Sequence, residues 1–310
     1  MTPSFRRAAA GAALAALAIL VWGVTFVDTK ALLDAFSALE ILFLRFLLAW
    51  LALWLVHPRP FRAASLRDEA LFAAAGLSGA AVYQLLENLA IHFTNASNVA
   101  ILVSVCPVFA AVLSQWLLRE RALSLRFAAG FLLAIAGVAL VTLSGVRAFS
   151  FHPVGDLLAL ASALSWGVYS VLVSVLNRRP YPPAAVIRRA FFWALVFLLP
   201  VLVWGAADPR AARVSCDVSF DPALNAARFA ALPNLFNLAF LGLLASALCF
   251  VVWNAACDRL GTVRASAGIY LIPAVTLLFA HFFLGETLAP LGAFGALLTL
   301  AGVALSTRRP

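Results

Sequence analysis

Between Ala8 and Ser306 the chain passes through ten apolar stretches of near-equal length, parted by short polar breaks. A bilayer core takes about 20 apolar residues per helical crossing. These stretches have that length, and hydrophobicity on all their faces suits lipid rather than a water-facing surface. With 65% hydrophobic residues, 11% charged residues and a mean hydropathy of +1.02, the composition lies outside the range of soluble domains. Only helices and closed barrels satisfy their own backbone hydrogen bonds in lipid. The predicted spans are helices at 8–27, 38–56, 70–91, 98–118, 127–146, 155–176, 185–204, 234–256, 265–284 and 290–306. Arg6-Arg7 before the first run could open a secretory signal peptide, but a span-length run followed by nine others reads as a retained helix.

Self-comparison divides the chain into halves. Trp22-Gly23 recurs as Trp166-Gly167, 144 residues on, and Arg45 recurs as Arg189 at the same offset. Asn88, Pro107 and Glu120 recur as Asn254, Pro273 and Glu286 at an offset of 166, and Gly130 and Gly137 as Gly295 and Gly302 at 165. The offset changes across the long loop 205–233. The expected organisation is a first five-helix repeat over 1–148 and a second over 149–310, with that loop as a local insertion.

An odd number of spans per half means that the second half enters the membrane from the opposite side. Charge tests this, because Lys and Arg concentrate in cytoplasmic connections. With both termini inside, fourteen of the twenty-two Lys and Arg residues fall on inner segments. Equivalent loops also reverse: Arg119-Glu120-Arg121 is basic where Gly285-Glu286-Thr287 is not, and Asp258 to Ala265 is basic where His92 to Ser97 is not. The expected fold class is an all-α integral membrane protein, ten helices in two inverted repeats.

These features together resemble the drug/metabolite transporter superfamily, in its EamA-type branch of ten-helix carriers. The resemblance rests on Trp22-Gly23 and Trp166-Gly167, Arg45, the apolar-Pro-apolar elements at Cys106-Pro107-Val108 and Ile272-Pro273-Ala274, the acidic marks Glu120 and Glu286, and the glycine-spaced closing helices. It implies export of amino acids or related small metabolites through a multi-pass cell membrane, of the bacterial inner-membrane type. The chain departs from the commoner pattern in loop 205–233 and in Glu87.

Inverted repeats place a solute site near mid-membrane, at their interface. Ionisable groups inside spans are costly and normally face inward. Tyr83 with Glu87, and Gln84 with Asn88, lie four apart and bring polar groups to one side of the third helix. The alternative is an interhelical cluster that only holds the bundle. Trp22 and Trp166 are candidates for stacking or cation-π contact with an amino group, or for packing alone. Tyr169 shares the face of Trp166, and Tyr270 lies three residues before Pro273. Arg45 could hold a carboxylate as a bidentate fork, whereas Arg188 and Arg189 are expected to snorkel to the headgroups. Pro107 and Pro273 are candidate kinks or gates. Glu87 is a candidate proton carrier.

Cys106, Cys216, Cys249 and Cys257 have no metal-ligand spacing, and no cofactor is expected. The net charge of +9 is dispersed at span ends, which suits topology rather than nucleic acid. Three other functions bound the reading. A carrier of cationic or lipophilic drugs would pair Glu87 with its substrate. A membrane enzyme would need paired Asp motifs, HExxH or GxSxG, none of which is present. A non-transporting receptor would leave the inversion without a purpose. The expected partners are a small solute and the bilayer.

Overall fold

A computed structural model describes residues 3–59, 62–93, 99, 102–119, 124–144, 153–207, 221–272, 274–275, 279 and 290–307. Among these the chain is helical throughout, with turns between helices and no strand. The α-helices are α1 (Pro3–Leu32), α2 (Ala38–Val56), α3 (Leu66–Gly76), α4 (Tyr83–Phe93), α5 (Cys106–Leu118), α6 (Leu125–Ser144), α7 (Pro153–Asn177) and α8 (Pro183–Ala207). They continue with α9 (Pro222–Ala230), α10 (Leu232–Ala239), α11 (Cys249–Leu260), α12 (Thr262–Ala267) and α13 (Pro290–Thr307). Among the described residues six stretches are long and apolar enough to cross a membrane: 6–25, 38–56, 66–90, 153–177, 183–204 and 232–260. Shorter apolar helices run over 106–118, 125–140 and 290–306.

Local chemistry sets the helix ends. Ser37 and Glu40 form a reciprocal capping box at the start of α2. Ser65 caps α3 and Asp221 caps α9, where Pro222 takes the first turn. The C-terminal stop of α11 is Gly261, whose φ of 85° is open to glycine and strained for other residues.

Two crossing segments are not regular α-helix. Leu77–Val82 joins α3 to α4 as a π-helical stretch, and Phe240–Leu248 joins α10 to α11 in the same way. An offset of 166 carries the first stretch onto 243–248, inside the second. A second pair of irregularities also matches. The chain turns at Ser104-Val105 before α5, and Gly268–Leu271 is 3-10 helix after α12, again 166 residues apart.

The fourth span differs from the continuous helix expected over 98–118: residues 99, 102 and 103 are helical, the chain turns at Ser104-Val105, and α5 starts anew at Cys106. Pro107 is not a mid-helix kink. It occupies the first turn of α5, where its missing N–H leaves no intrahelical bond unmade. Loop 205–233 also holds regular structure, since α9 lies within it. Pro273, Glu120 and Glu286 lie outside the described residues.

Packing is reciprocal between the halves. Helix α1 lies on α11 and α7 on α4, while α2 meets the second π-helical stretch and α8 the first. Lipid removes the hydrophobic drive between helices, so close contact through small residues carries the association. A Cβ on Gly130 would stand 2.5 Å from the Ser306 nitrogen and 2.7 Å from the Gly302 oxygen, and one on Gly137 2.5 Å from the Gly295 oxygen. Helices α6 and α13 thus run antiparallel. Gly130 opposes Gly302, the equivalent of Gly137, and Gly137 opposes Gly295, the equivalent of Gly130. Gly76 and Gly242, 166 apart, likewise press on the second helix of the other half, at Ala190 and at Leu48.

One end of the bundle carries a polar network. Tyr181 donates to Asp68 Oδ2 at 2.5 Å and accepts from the Ala64 N–H at 3.0 Å. Arg179 pairs with Asp68 at 3.5 Å. Arg189 and Trp193 both donate to Glu69 Oε1, at 2.7 and 2.6 Å. Arg188 donates to the carbonyl oxygens of His57 and Arg59 and lies over the Trp54 ring. Both arginines are thus held by internal acceptors, Arg188 buried and Arg189 with its side chain 32% exposed.

Candidate functional site

The charged set is built on α4, whose phase is fixed by the π-helical stretch before it. Gln84 and Glu87 are buried, and Tyr83 and Asn88 half-buried. Arg45, 6% exposed, crosses from α2. Its Nη1 donates to Gln84 Oε1 at 2.8 Å and its Nε to Ser246 Oγ at 3.0 Å, so it ties α4 to the π-helical stretch of the other half. Tyr83 and Glu87 are hydrogen-bonded to each other. Glu87 Oε2 is buried without a hydrogen-bond partner among the described residues.

Aromatic rings close the space beside this set. Trp22 lies 5.7 Å from Trp166, 5.2 Å from Trp253 and 5.8 Å from Phe250, centroid to centroid. Trp166 lies 4.8 Å from Tyr83 and 5.1 Å from Tyr169. The Trp22 indole donates to the Ala245 carbonyl at 2.9 Å, and Ser165 Oγ to the Ser78 carbonyl at 2.8 Å. Each π-helical stretch thus receives a hydrogen bond from the first helix of the opposite half. Gly79 leaves the room that Tyr169 fills, since a Cβ there would overlap the Tyr169 ring.

The structure brings together Trp22, Arg45, Tyr83, Gln84, Glu87, Trp166 and Tyr169, with Asn88 half-buried next to Glu87 on α4. Tyr270 packs with Ala134 and Ala267, lies 6.2 Å from Phe131 of α6, and has a buried hydroxyl without a hydrogen-bond partner among the described residues. Pro107 opens α5, as described above.

Four neighbours were not singled out as site residues in the sequence: Ser246, Phe250, Trp253 and Asn254. The repeat held the signal. An offset of 166 carries Gln84 onto Phe250, Glu87 onto Trp253 and Asn88 onto Asn254, so the polar face of one half is largely an aromatic face in the other.

A buried guanidinium and a carboxyl with an unmet oxygen, walled by indole and phenol rings, can hold a small solute bearing both charges. Two of the five arginine N–H donors are committed to named partners. Among the described residues no three His, Cys, Asp or Glu side chains cluster as a metal set. A groove of about 230 Å³ between α2 and α8, lined by Phe43, Leu47, Trp50, Phe192, Leu195, Val196 and Leu199, is wholly apolar and shares no residue with the charged set.

Comparison with known proteins gives the class. The model of the EamA-like transporter family matches residues 9–143 and 153–308. An uncharacterized transporter of Archaeoglobus fulgidus is 31% identical over 301 residues, 96% of each chain. A probable terminal-alkyne amino-acid exporter of Streptantibioticus cattleyicolor is 31% identical over 94% of this chain and 92% of its own. A probable amino-acid metabolite efflux pump of Salmonella typhimurium is 29% identical over the same shares. A solved crystal structure with 19% sequence identity superposes with a TM-score of 0.72 over 96% of both chains, a likeness of fold. The chain is a multi-pass transporter of the cell membrane and belongs to the EamA-like transporter family.

Proposed function

We propose that this protein exports amino acids or related small polar metabolites by alternating access, from a central site between two inverted five-helix repeats, 1–148 and 149–310, with both termini cytoplasmic. The observation that carries the substrate class is the burial of opposite charges, Arg45 on α2 and Glu87 on α4. Arg45 suits a carboxylate and Glu87 an ammonium, with Trp22, Trp166 and Tyr83 walling the space. The names of the Streptantibioticus and Salmonella relatives agree with it. The reciprocal glycine contacts of α6 and α13, and the matched π-helical stretches, support the inverted repeat. Such repeats can exchange conformations and expose one site to each side in turn.

Counterflow in proteoliposomes tests the proposal. Preloaded amino acid should accelerate uptake of labelled amino acid, and Arg45→Ala and Glu87→Gln should each abolish it. An absence of amino-acid flux, with Glu87-dependent movement of a lipophilic cation instead, would favour a drug carrier. An imposed pH gradient that drives wild-type flux and leaves Glu87→Gln indifferent would assign Glu87 the proton.

A further inference from the structure

Three buried side chains on α7 and α11 carry polar atoms with no partner among the described residues. Trp166, Tyr169 and Asn254 are 4%, 2% and 0% exposed. Among the described residues the Trp166 Nε1, the Tyr169 hydroxyl and both polar atoms of the Asn254 amide have no hydrogen-bond partner. Buried polar groups are normally satisfied, and leaving one unmade costs its full desolvation. Four such atoms on the contacting helices α7 and α11 call for an occupant.

Ring contacts define the neighbourhood. The Tyr169 ring lies 5.1 Å from Trp166 and 6.1 Å from Phe250. Asn254 stands one helical turn beyond Phe250 on α11, and its backbone carbonyl is fixed by Asn177 Nδ2 at 3.3 Å. Trp166 also touches Trp253 at 6.5 Å, next to Asn254 in sequence.

We infer that Trp166, Tyr169 and Asn254 form a second, neutral subsite that receives a hydroxyl or carboxamide at the end of the substrate's side chain. The amide and the phenol each donate and accept, and the indole donates, which complements a neutral group able to do both. None of the three carries a charge, so the subsite offers no partner to an ionised side chain. It rests on the amino-acid proposal above and narrows it to amino acids polar at both ends. Trp166 is the shared ring, 4.8 Å from Tyr83 and 5.1 Å from Tyr169.

The test is counterflow by the full chain in proteoliposomes, using pairs matched in shape: L-tyrosine against L-phenylalanine, and L-glutamine against L-methionine. The wild type should favour the polar-ended member by about tenfold, the worth of one hydrogen bond. Tyr169→Phe keeps the ring and should bring the ratio close to one while flux of the apolar member persists. Asn254→Leu should do the same. Wild-type rates equal within each pair, or a ratio unchanged in Tyr169→Phe, would mean that these atoms meet only water and would overturn the subsite. Absence of flux for all four amino acids in the wild type would instead overturn the amino-acid proposal, and this inference with it.

Discussion

Trp22 spends its indole N–H on the main chain of the other half, donating to the Ala245 carbonyl at 2.9 Å inside a π-helical stretch. It is therefore both a ring in the aromatic wall and a tie across the molecule. Trp22→Phe keeps the ring and removes the tie, and should cost about 0.5–1.5 kcal/mol. Trp22→Ala also loses the contacts with Trp166, Trp253 and Phe250 and should cost about 3–5 kcal/mol. Thermal unfolding of the purified protein in detergent measures both.

Arg45→Lys should lower counterflow about tenfold or more at matched protein per liposome. A single ammonium cannot reproduce the fork that holds Ser246 through Nε and Gln84 through Nη1 at the same time. Wild-type rates in this variant would show that charge alone suffices there.

Gly137→Leu should prevent α6 and α13 from closing, since even a Cβ would stand 2.5 Å from the Gly295 oxygen. The expected loss exceeds the roughly 1–3 kcal/mol of ordinary overpacking, because backbone rather than a movable side chain is struck. The monodisperse fraction in size-exclusion chromatography reports it.

Arg228 and Glu40 pair at 2.6 Å with side chains 8% and 7% exposed, pinning α9 to the start of α2. Arg228→Ala would leave the Glu40 carboxylate buried without its cation, and should destabilise the protein by about 3–5 kcal/mol. Proteolysis within 205–233 should then quicken, as followed by gel against intact wild type.

Tyr181 gives the protein an alkaline limit. Its hydrogen bond to Asp68, helped by partial burial, raises the phenol above its ordinary value of about 10. Because the folded value exceeds the unfolded one, the stabilisation is complete below pH 10 and is lost as pH rises through the folded value. Tyr181→Phe should be less stable than wild type by a constant amount at neutral pH. The gap should narrow only above about pH 10 in unfolding followed across that range.

The membrane class and several site residues were legible because hydropathy and in-span polarity are local properties. Arg45, Gln84 and Glu87 stand out as polar groups in apolar runs, and the spacing of Tyr83, Gln84, Glu87 and Asn88 marks one side of a helix. Their partners were not legible. Ser246 is small and common in membrane helices, and nothing near Arg45 in sequence points to a residue 201 positions away. Trp253 and Phe250 look like ordinary apolar filling until the repeat offset sets them against Glu87 and Gln84. Nor were the internal acceptors of Arg188 and Arg189 legible, which come from the residues after α2 and from Glu69.

A π-helical turn holds one residue more than an α turn, so each irregular stretch behaves as an insertion that loop lengths do not reveal. Side chains beyond it are rotated by about 100° from where regular winding would put them. Glu87 meets the central space because Leu77–Val82 is wound as it is. Winding all residues of that stretch as regular α-helix would turn the polar groups of α4 toward other neighbours, whereas deleting one residue there would restore regular winding and keep their phase. Which side chains face one another across the two halves is thus recorded in the angular phase of the helices as well as in residue identity.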